Sequence, residues 1–535
     1  MDSSELEPLL VDYKASVEAL GRSYPLSVSQ ERNDRFLRFF QDHQKELAAI
    51  DRKTLSRHAR ADAVLFGNLL EKSVSGHRWE LARLTRIQPF LDRLIPAIRL
   101  LEAHRRLEPV DPKAAAAALT QVTKSLEDGE PIPEDAGDAF RSSQALAEVS
   151  SALRAWEQFY GGYDPLFSWW TQKPFAELKA AVEKVEKRFK EKLDDAADLS
   201  VGPPCGRERL VEQIRQEMVA YSPEELLEIG RKEFAWCENE MRKAAAELGF
   251  GDDWKAAMEH VKDLHVAPGD QPQMVKGLAI EAIEYLRSND LLTVPPLAAE
   301  TWRMGMMSAE KQKINPFFLG GEQIIVSYPT GEMSHSDKLM SMRGNNPHFS
   351  RATVQHELIP GHHMQFYMLR RHKPYRSIFG TCFWIEGWTL YWELLLWDLG
   401  FPRGPEDRIG MLFWRMHRCA RIEFSLSYHL GLMSAEACVD MLVDRVGHER
   451  ANAEGEVRRS FRGDYPPLYQ AAYMLGGLQM MAMRRDVIGS GKMTDKQFHD
   501  AVMHENQMPL AVLRSLLLGD EFEGEFDANW RFYNA

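Results

Sequence analysis

Apolar residues recur at helical spacing along most of the chain. Leu6, Leu9, Leu10, Tyr13, Val17 and Leu20 follow steps of three and four residues, which places them on one helix face. Leu65, Leu69 and Leu70 continue such a face after Leu55. Ala114 to Leu119 is rich in alanine, the residue that loses least on entering a helix. Lys179 to Leu193 sets Leu, Val and Phe among charges and predicts a surface helix. Trp388, Leu390, Tyr391, Leu394, Leu395 and Trp397 predict a deeply buried one.

Strand patterns are few. Gln323 to Pro329 is the clearest, with β-branched residues between a Gly-Gly and a Pro-Thr-Gly, and Leu292-Thr293-Val294 is a weaker second. Pro131-Ile132-Pro133, Val201 to Pro204 and Pro268-Gly269-Asp270 mark loops. The pattern predicts a mostly α protein with a small β-sheet just before residue 350. It also predicts an N-terminal helical lobe over 1–200 and a C-terminal lobe over 201–535. No internal repeat is visible.

The composition narrows the class. The chain has 535 residues, 44% hydrophobic and 27% charged, as in soluble globular proteins. A formal net charge of −13 argues against a nucleic-acid binder, which needs a basic face. The start is acidic and no uncharged apolar run is long enough to span a bilayer, so neither a secretory signal nor a membrane segment is expected. Five scattered cysteines without a CxxC pair exclude a cysteine zinc site and fit reduced thiols in a cytoplasm.

The chemistry concentrates in Gln355-His356-Glu357-Leu358-Ile359-Pro360-Gly361-His362-His363, followed by Glu386-Gly387-Trp388. Two imidazoles and a carboxylate are the ligands of a catalytic zinc, with a fourth position left for water. His448-Glu449 and His504-Glu505 lack a second histidine nearby and are expected at the surface. No GxSxG, GxxxxGK[ST] or GxGxxG sequence is present, and only Glu332 to His335 has the Glu-x-x-His spacing that a di-iron bundle needs twice.

In a regular helix His356 and His362 point about 120° apart, and His363 lies about 10 Å further along the axis. Neither could share a zinc with His356. Pro360 removes the N–H that would bond the His356 carbonyl, and Gly361 admits unusual dihedrals. If Pro360-Gly361 bulges out of the helix, His362 falls into the i+4 position. Spacing leaves His362 and His363 as alternatives. Glu386 is the natural third ligand, and Glu386, Leu390 and Glu393 share one helix face.

These motifs resemble those of the DUF885 family of bacterial proteins, whose members look like gluzincin-type zinc metallopeptidases. His356, Glu357, Pro360, Gly361, His362, His363 and Gln365 match its HExxPGHHxQ, and Glu386, Gly387, Trp388, Leu390, Tyr391 and Glu393 match its EGWxLYxE. Softer matches are Arg421, His429, Ser434 and Glu436, then Pro467, Tyr473 and Gly476. Met433 stands where the family usually has Trp, and Tyr469 where it has Gln. The match is good over 205–535 and loose before it. The resemblance implies a two-lobed helical metallopeptidase-like architecture with the site between lobes, closed to folded proteins.

On this basis His356, His362 and Glu386 are expected to bind Zn²⁺, and Glu357 to act as general base. Tyr473 and His429 are candidate donors to a tetrahedral oxyanion, and Arg421 a candidate partner for a substrate carboxylate. The strand from Gln323 to Tyr328 could offer an open edge to an extended peptide. The expected activity is hydrolysis of short peptides. Alternatives are a zinc hydrolase acting on a non-peptide C–N bond of a small molecule, and a non-catalytic helical binding protein with a relic site.

Overall fold

Helices begin where the sequence supplies a cap. Ser56 accepts the Ala59 N–H at the start of Arg57–Arg86, Asp111 caps Pro112–Glu127 ahead of its proline, and Ser222 with Glu225 forms a capping box before Pro223–Glu247. The computed structural model describes residues 4–533, except 129–131, 194–198, 200, 309–311, 313–317, 319, 464 and 524–525. It is mostly helical. The first apolar face is the helix Glu7–Ser23, and the charged run before residue 193 is the end of Pro165–Leu193. That helix is amphipathic, burying Leu178, Val182, Val185 and Phe189. None of the described helices is long and apolar enough to cross a membrane. Pro131 lies outside the described residues, whereas Val201 to Pro204 and Pro268 to Asp270 lack regular structure.

The described residues hold one two-stranded parallel sheet. β1 (Arg303–Met306) pairs with β2 (Gln323–Val326), with Met304 opposite Ile324. Ile324 and Val326 bury against Val354 and Leu358, so the sheet sits against the helix that carries His356, as the pattern predicts. Leu292-Thr293-Val294 is not a strand. The Thr293 N–H and hydroxyl both donate to the Asp500 carboxylate, which takes the backbone group a ladder would use.

One of the two large cores draws on both sides of residue 200, where the sequence suggests a boundary. Leu10, Phe39 and Phe66 pack in one cluster with Met368, Trp388, Tyr391 and Leu513. A separate core, from Phe90 to Leu193 with Leu26, belongs to the helices of the N-terminal part. Leu10, Phe39 and Phe66 are thus packed with the C-terminal part.

Two long helices meet backbone to backbone under the site. Cys382–Asp398 and Tyr469–Gly489 cross at Gly387 and Gly476, where a Cβ on Gly476 would stand 2.2 Å from the Phe383 carbonyl oxygen. A Cβ on Gly387 would meet Gly476 backbone atoms at 2.7–2.8 Å. Only glycine permits this approach. Gly476→Ala is therefore expected to cost about 2 kcal/mol, as forced overpacking does, read as a lower urea midpoint. Gly489→Ala on the same helix meets nothing within 4 Å and is the control, neutral or slightly stabilising.

Candidate metal centre

Asn346 caps the helix Pro347–Glu357 by accepting the N–H groups of His348 and Phe349, and the helix ends at the His-Glu pair. The chain then breaks. It leaves the helix at Leu358, passes a cis Ile359–Pro360 peptide, and enters a second helix, His362–Leu369, at His362. The expected bulge inside one continuous helix is thus replaced by two helices with a two-sided turn. The Gly361 N–H donates to the Gln355 carbonyl at 3.0 Å, and the Trp388 indole N–H donates to the Pro360 carbonyl at 2.9 Å. A Cβ at 361 would lie 1.8 Å from the His356 carbonyl oxygen, so the turn requires glycine for space.

The break brings the two imidazoles together, with ring centroids 5.1 Å apart at an interplanar angle of 82°. His356 Nδ1 is 2.7 Å from Glu393 Oε1 and His362 Nδ1 is 3.1 Å from Gln365 Oε1. Both partners are acceptors: Gln365 uses its amide N–H₂ to donate to the Ile385 carbonyl. Each ring therefore carries a proton on Nδ1 and turns Nε2 inward. There, Glu386 Oε2 lies 3.3 Å from His362 Nε2 and 3.8 Å from His356 Nε2. This oxygen is buried and makes no hydrogen bond, while Oε1 accepts from the Tyr469 hydroxyl at 2.9 Å. Ligand atoms of His356, Glu357 and His362 also lie within 4.8 Å of one another. His363 is elsewhere, its Nε2 at 2.9 Å from the Ala298 carbonyl, so His362 is the second histidine of the cluster.

The cluster opens into a cavity of about 390 Å³. Its lining includes Gly320 and Phe318, Trp414, Arg418 and Arg421, and Tyr465, Tyr469 and Tyr473. Gly320 lies so close over the carboxylate that a Cβ there would stand 1.8 Å from Glu357 Oε2.

The family described as bacterial proteins of unknown function, DUF885, matches residues 20–517, which includes both motifs and the walls of the cavity. The chain belongs to the DUF885 family. No curated protein matches it. Two solved structures share the fold. One is a candidate lipoprotein of unknown function from Shewanella oneidensis, 17% identical, covering 95% of this chain and 98% of that one with a TM-score of 0.70. The other is a candidate lipoprotein from Colwellia psychrerythraea, 16% identical, covering 96% and 98% with a TM-score of 0.65. At such identities the likeness is one of fold.

In this DUF885 protein burial shapes the charges of the cluster. It pushes Glu357 up to about 7, with Glu386 adding to the effect against His362. Burial, with His362 and Arg418 beside it, holds His356 well below its ordinary value and hence neutral. Burial opposes charge on His362 too, yet the Glu386 carboxylate outweighs it and carries that imidazole up to about 9. Glu386 is held at about 2, since the two histidines and Tyr469 overcome its own burial. A proton on His362 thus neutralises Glu386 at the point where three ligand atoms converge. A cation fits the same point, where Glu386 Oε2 faces the two imidazole nitrogens at 3.3 and 3.8 Å.

The other expected residues divide. Tyr473 lines the cavity, its ring stacked toward His356 at 6.4 Å and its hydroxyl 3.3 Å from that of Tyr469. His429 does not line it. It faces an adjoining cavity of about 700 Å³ that shares Tyr465 and Tyr469 as a wall, and its Nδ1 accepts from the Cys205 N–H. Arg421 lines the site cavity but donates Nε–H to Glu456 at 2.7 Å. His448, expected at the surface, is buried and 2.9 Å from His417, because the chain after the helix Pro405–His429 folds back over it. His504 does stay exposed. Sequence reasoning missed Arg418 and Gly320, and met Tyr469 only as a departure from the family motif.

Glu456 is buried, and although burial opposes its charge, Arg421 and Arg459 hold it down at about 2. Its contribution to stability is therefore complete above the ordinary carboxylate value and lost as pH falls toward 2. Glu456→Gln leaves Arg421 buried without its ion partner and is expected to cost about 3 kcal/mol at pH 7. Urea unfolding of both proteins should show that difference at pH 7 and a narrower one below pH 4.

Proposed function

We propose that this DUF885 protein is a zinc-dependent hydrolase of amide bonds, with short peptides as its substrates. The observation that carries the proposal is the convergence of His356 Nε2, His362 Nε2 and the buried Glu386 Oε2 beside Glu357. Two histidines and a glutamate from a later helix are a gluzincin-type ligand set, and the fold is read as metallopeptidase-like on that ground. His356, His362 and Glu386 would hold the zinc, which when bound supplies Lewis acidity toward a carbonyl and toward water.

The chain's own residues supply the remainder. Glu393 and Gln365 fix both imidazoles with Nε2 inward, and Tyr469 fixes Glu386. Glu357, with its carboxyl at about 7, is matched to taking a proton from the attacking water near neutral pH. It then returns that proton to the leaving amine. Tyr473 offers a hydroxyl from the cavity wall to the developing oxyanion. A cavity of about 390 Å³ suits a short peptide or a small amide, not a folded chain. The five cysteines form no disulfide, which favours a reducing compartment such as the cytoplasm, although the two solved neighbours are described as candidate lipoproteins.

Elemental analysis is the deciding measurement. About one zinc per chain is expected in the wild type and in His363→Ala, and none in His356→Ala, His362→Ala or Glu386→Ala. A wild type without metal after zinc reconstitution would sink the proposal. Glu357→Gln should keep its zinc and lose peptide hydrolysis by about 10²–10⁴-fold, the usual worth of a general base, measured on a library of short peptides.

A further inference from the structure

Arg418 stands apart from the other charges of the cavity. It is 7% exposed, lines the cavity and lies in the middle of the helix Pro405–His429. Its neighbours are ring faces and one distant acid. The guanidinium sits 5.3 Å from the Trp414 ring centroid and 4.8 Å from that of Tyr473, and Nη2 is 4.0 Å from Glu393 Oε1. Its Nε–H has no partner, and no hydrogen bond joins the guanidinium to any other described residue. Buried arginines elsewhere in the chain are tied down. Arg376 donates to Asp62, Arg351 to both oxygens of Glu281, and Arg421 to Glu456. Glu393 does not serve Arg418 in this way, since its near oxygen already accepts from His356.

A guanidinium whose Nε–H is buried without a partner is costly unless something completes it. Its five donors are arranged as a fork that fits a carboxylate with two parallel bonds. We propose that Arg418 is the anchor for a carboxylate on the substrate, so that the preferred substrates are peptides or N-acyl amino acids with a free carboxylate near the scissile bond. One glutamate separates Arg418 from His356. That places the carboxylate within one or two residues of the bond, given about 3.8 Å between successive Cα atoms. The neighbouring Arg421 is unavailable for the task because Glu456 holds it. The proposal rests on the hydrolase reading for the word substrate, but the binding it predicts does not require turnover.

The test is calorimetric titration of the full chain with N-acetyl-leucine and with N-acetyl-leucinamide, as purified and after chelation of metal. The acid is expected to bind at least about tenfold tighter than the amide in both preparations, as a charge-assisted forked pair allows. In Arg418→Gln the preference should vanish. In Arg418→Lys, which keeps the charge and lets the fold be checked, it should shrink without vanishing. Equal binding of acid and amide, no saturable binding of the acid, a preference lost on chelation, or a preference kept in Arg418→Gln would each overturn the proposal. Zinc content and peptide hydrolysis, measured on the same preparations, report the hydrolase reading separately. A chain without zinc that still prefers the acid would lose that reading and keep the anchor.

Discussion

No side chain fits at position 361, and the rest of the site follows from that constraint. With the His356 and Gln355 carbonyls closing over Gly361, the chain can leave one helix and enter the next within four residues. Without the break, helical geometry would carry His362 to the opposite side of the axis from His356. With it, His356 sits at the end of one helix, His362 at the start of another, and their rings meet nearly at right angles. The Trp388 indole locks the turn from the same helix that presents Glu386. The turn and the third ligand are thus set by one element.

That element is itself located by glycine. Gly387 follows Glu386 directly and lies against Gly476, while Tyr473 and Tyr469 sit one and two turns earlier on the partner helix. Close backbone contact lets the Tyr469 hydroxyl reach Glu386 Oε1 and brings the Tyr473 ring alongside His356. A larger residue at the crossing would separate the helices and lengthen both contacts. Packing and chemistry are coupled through a distance, and the apolar weight of Trp384, Trp388, Tyr391 and Trp392, all fully buried, holds that distance fixed.

The sequence makes the proposed ligands legible because they are local. His356, Glu357 and His362 fall within seven residues, and Glu386 belongs to a second recognisable motif. What it leaves unread depends on tertiary packing. Whether Pro360-Gly361 bulges or breaks the helix is decided by the indole of Trp388, 28 residues on. Spacing could not choose between His362 and His363; the Ala298 carbonyl does, by engaging His363. β1 has no β-branched residue and is made a strand by its partner. His429 and Arg421 were plausible by type, but a histidine's role depends on which cavity it faces, and an arginine's on whether an acid has already taken it. Arg418 gives no signal in the sequence, since its distinction is a set of hydrogen bonds not made.

Glu386 is the residue whose surroundings bear most on the proposed metal site. A carboxylate among aromatic rings is expensive to bury, and a structural acid would have both oxygens satisfied. Here one oxygen is held by a tyrosine and the other is left to face two imidazole nitrogens. The fold has not relieved this by turning the side chain, because the Gly387–Gly476 crossing and the buried tryptophans fix the helix. The facing donor the chain offers is the protonated His362 imidazole, since Glu393 and Gln365 engage the far side of both rings. The surrounding contacts hold this carboxylate in place, as the proposed metal site would require. Arg418 repeats the same logic with the opposite charge on the facing wall of the cavity. A cation placed between the histidines and an anion placed on Arg418 would each complete groups that the chain by itself leaves unpaired.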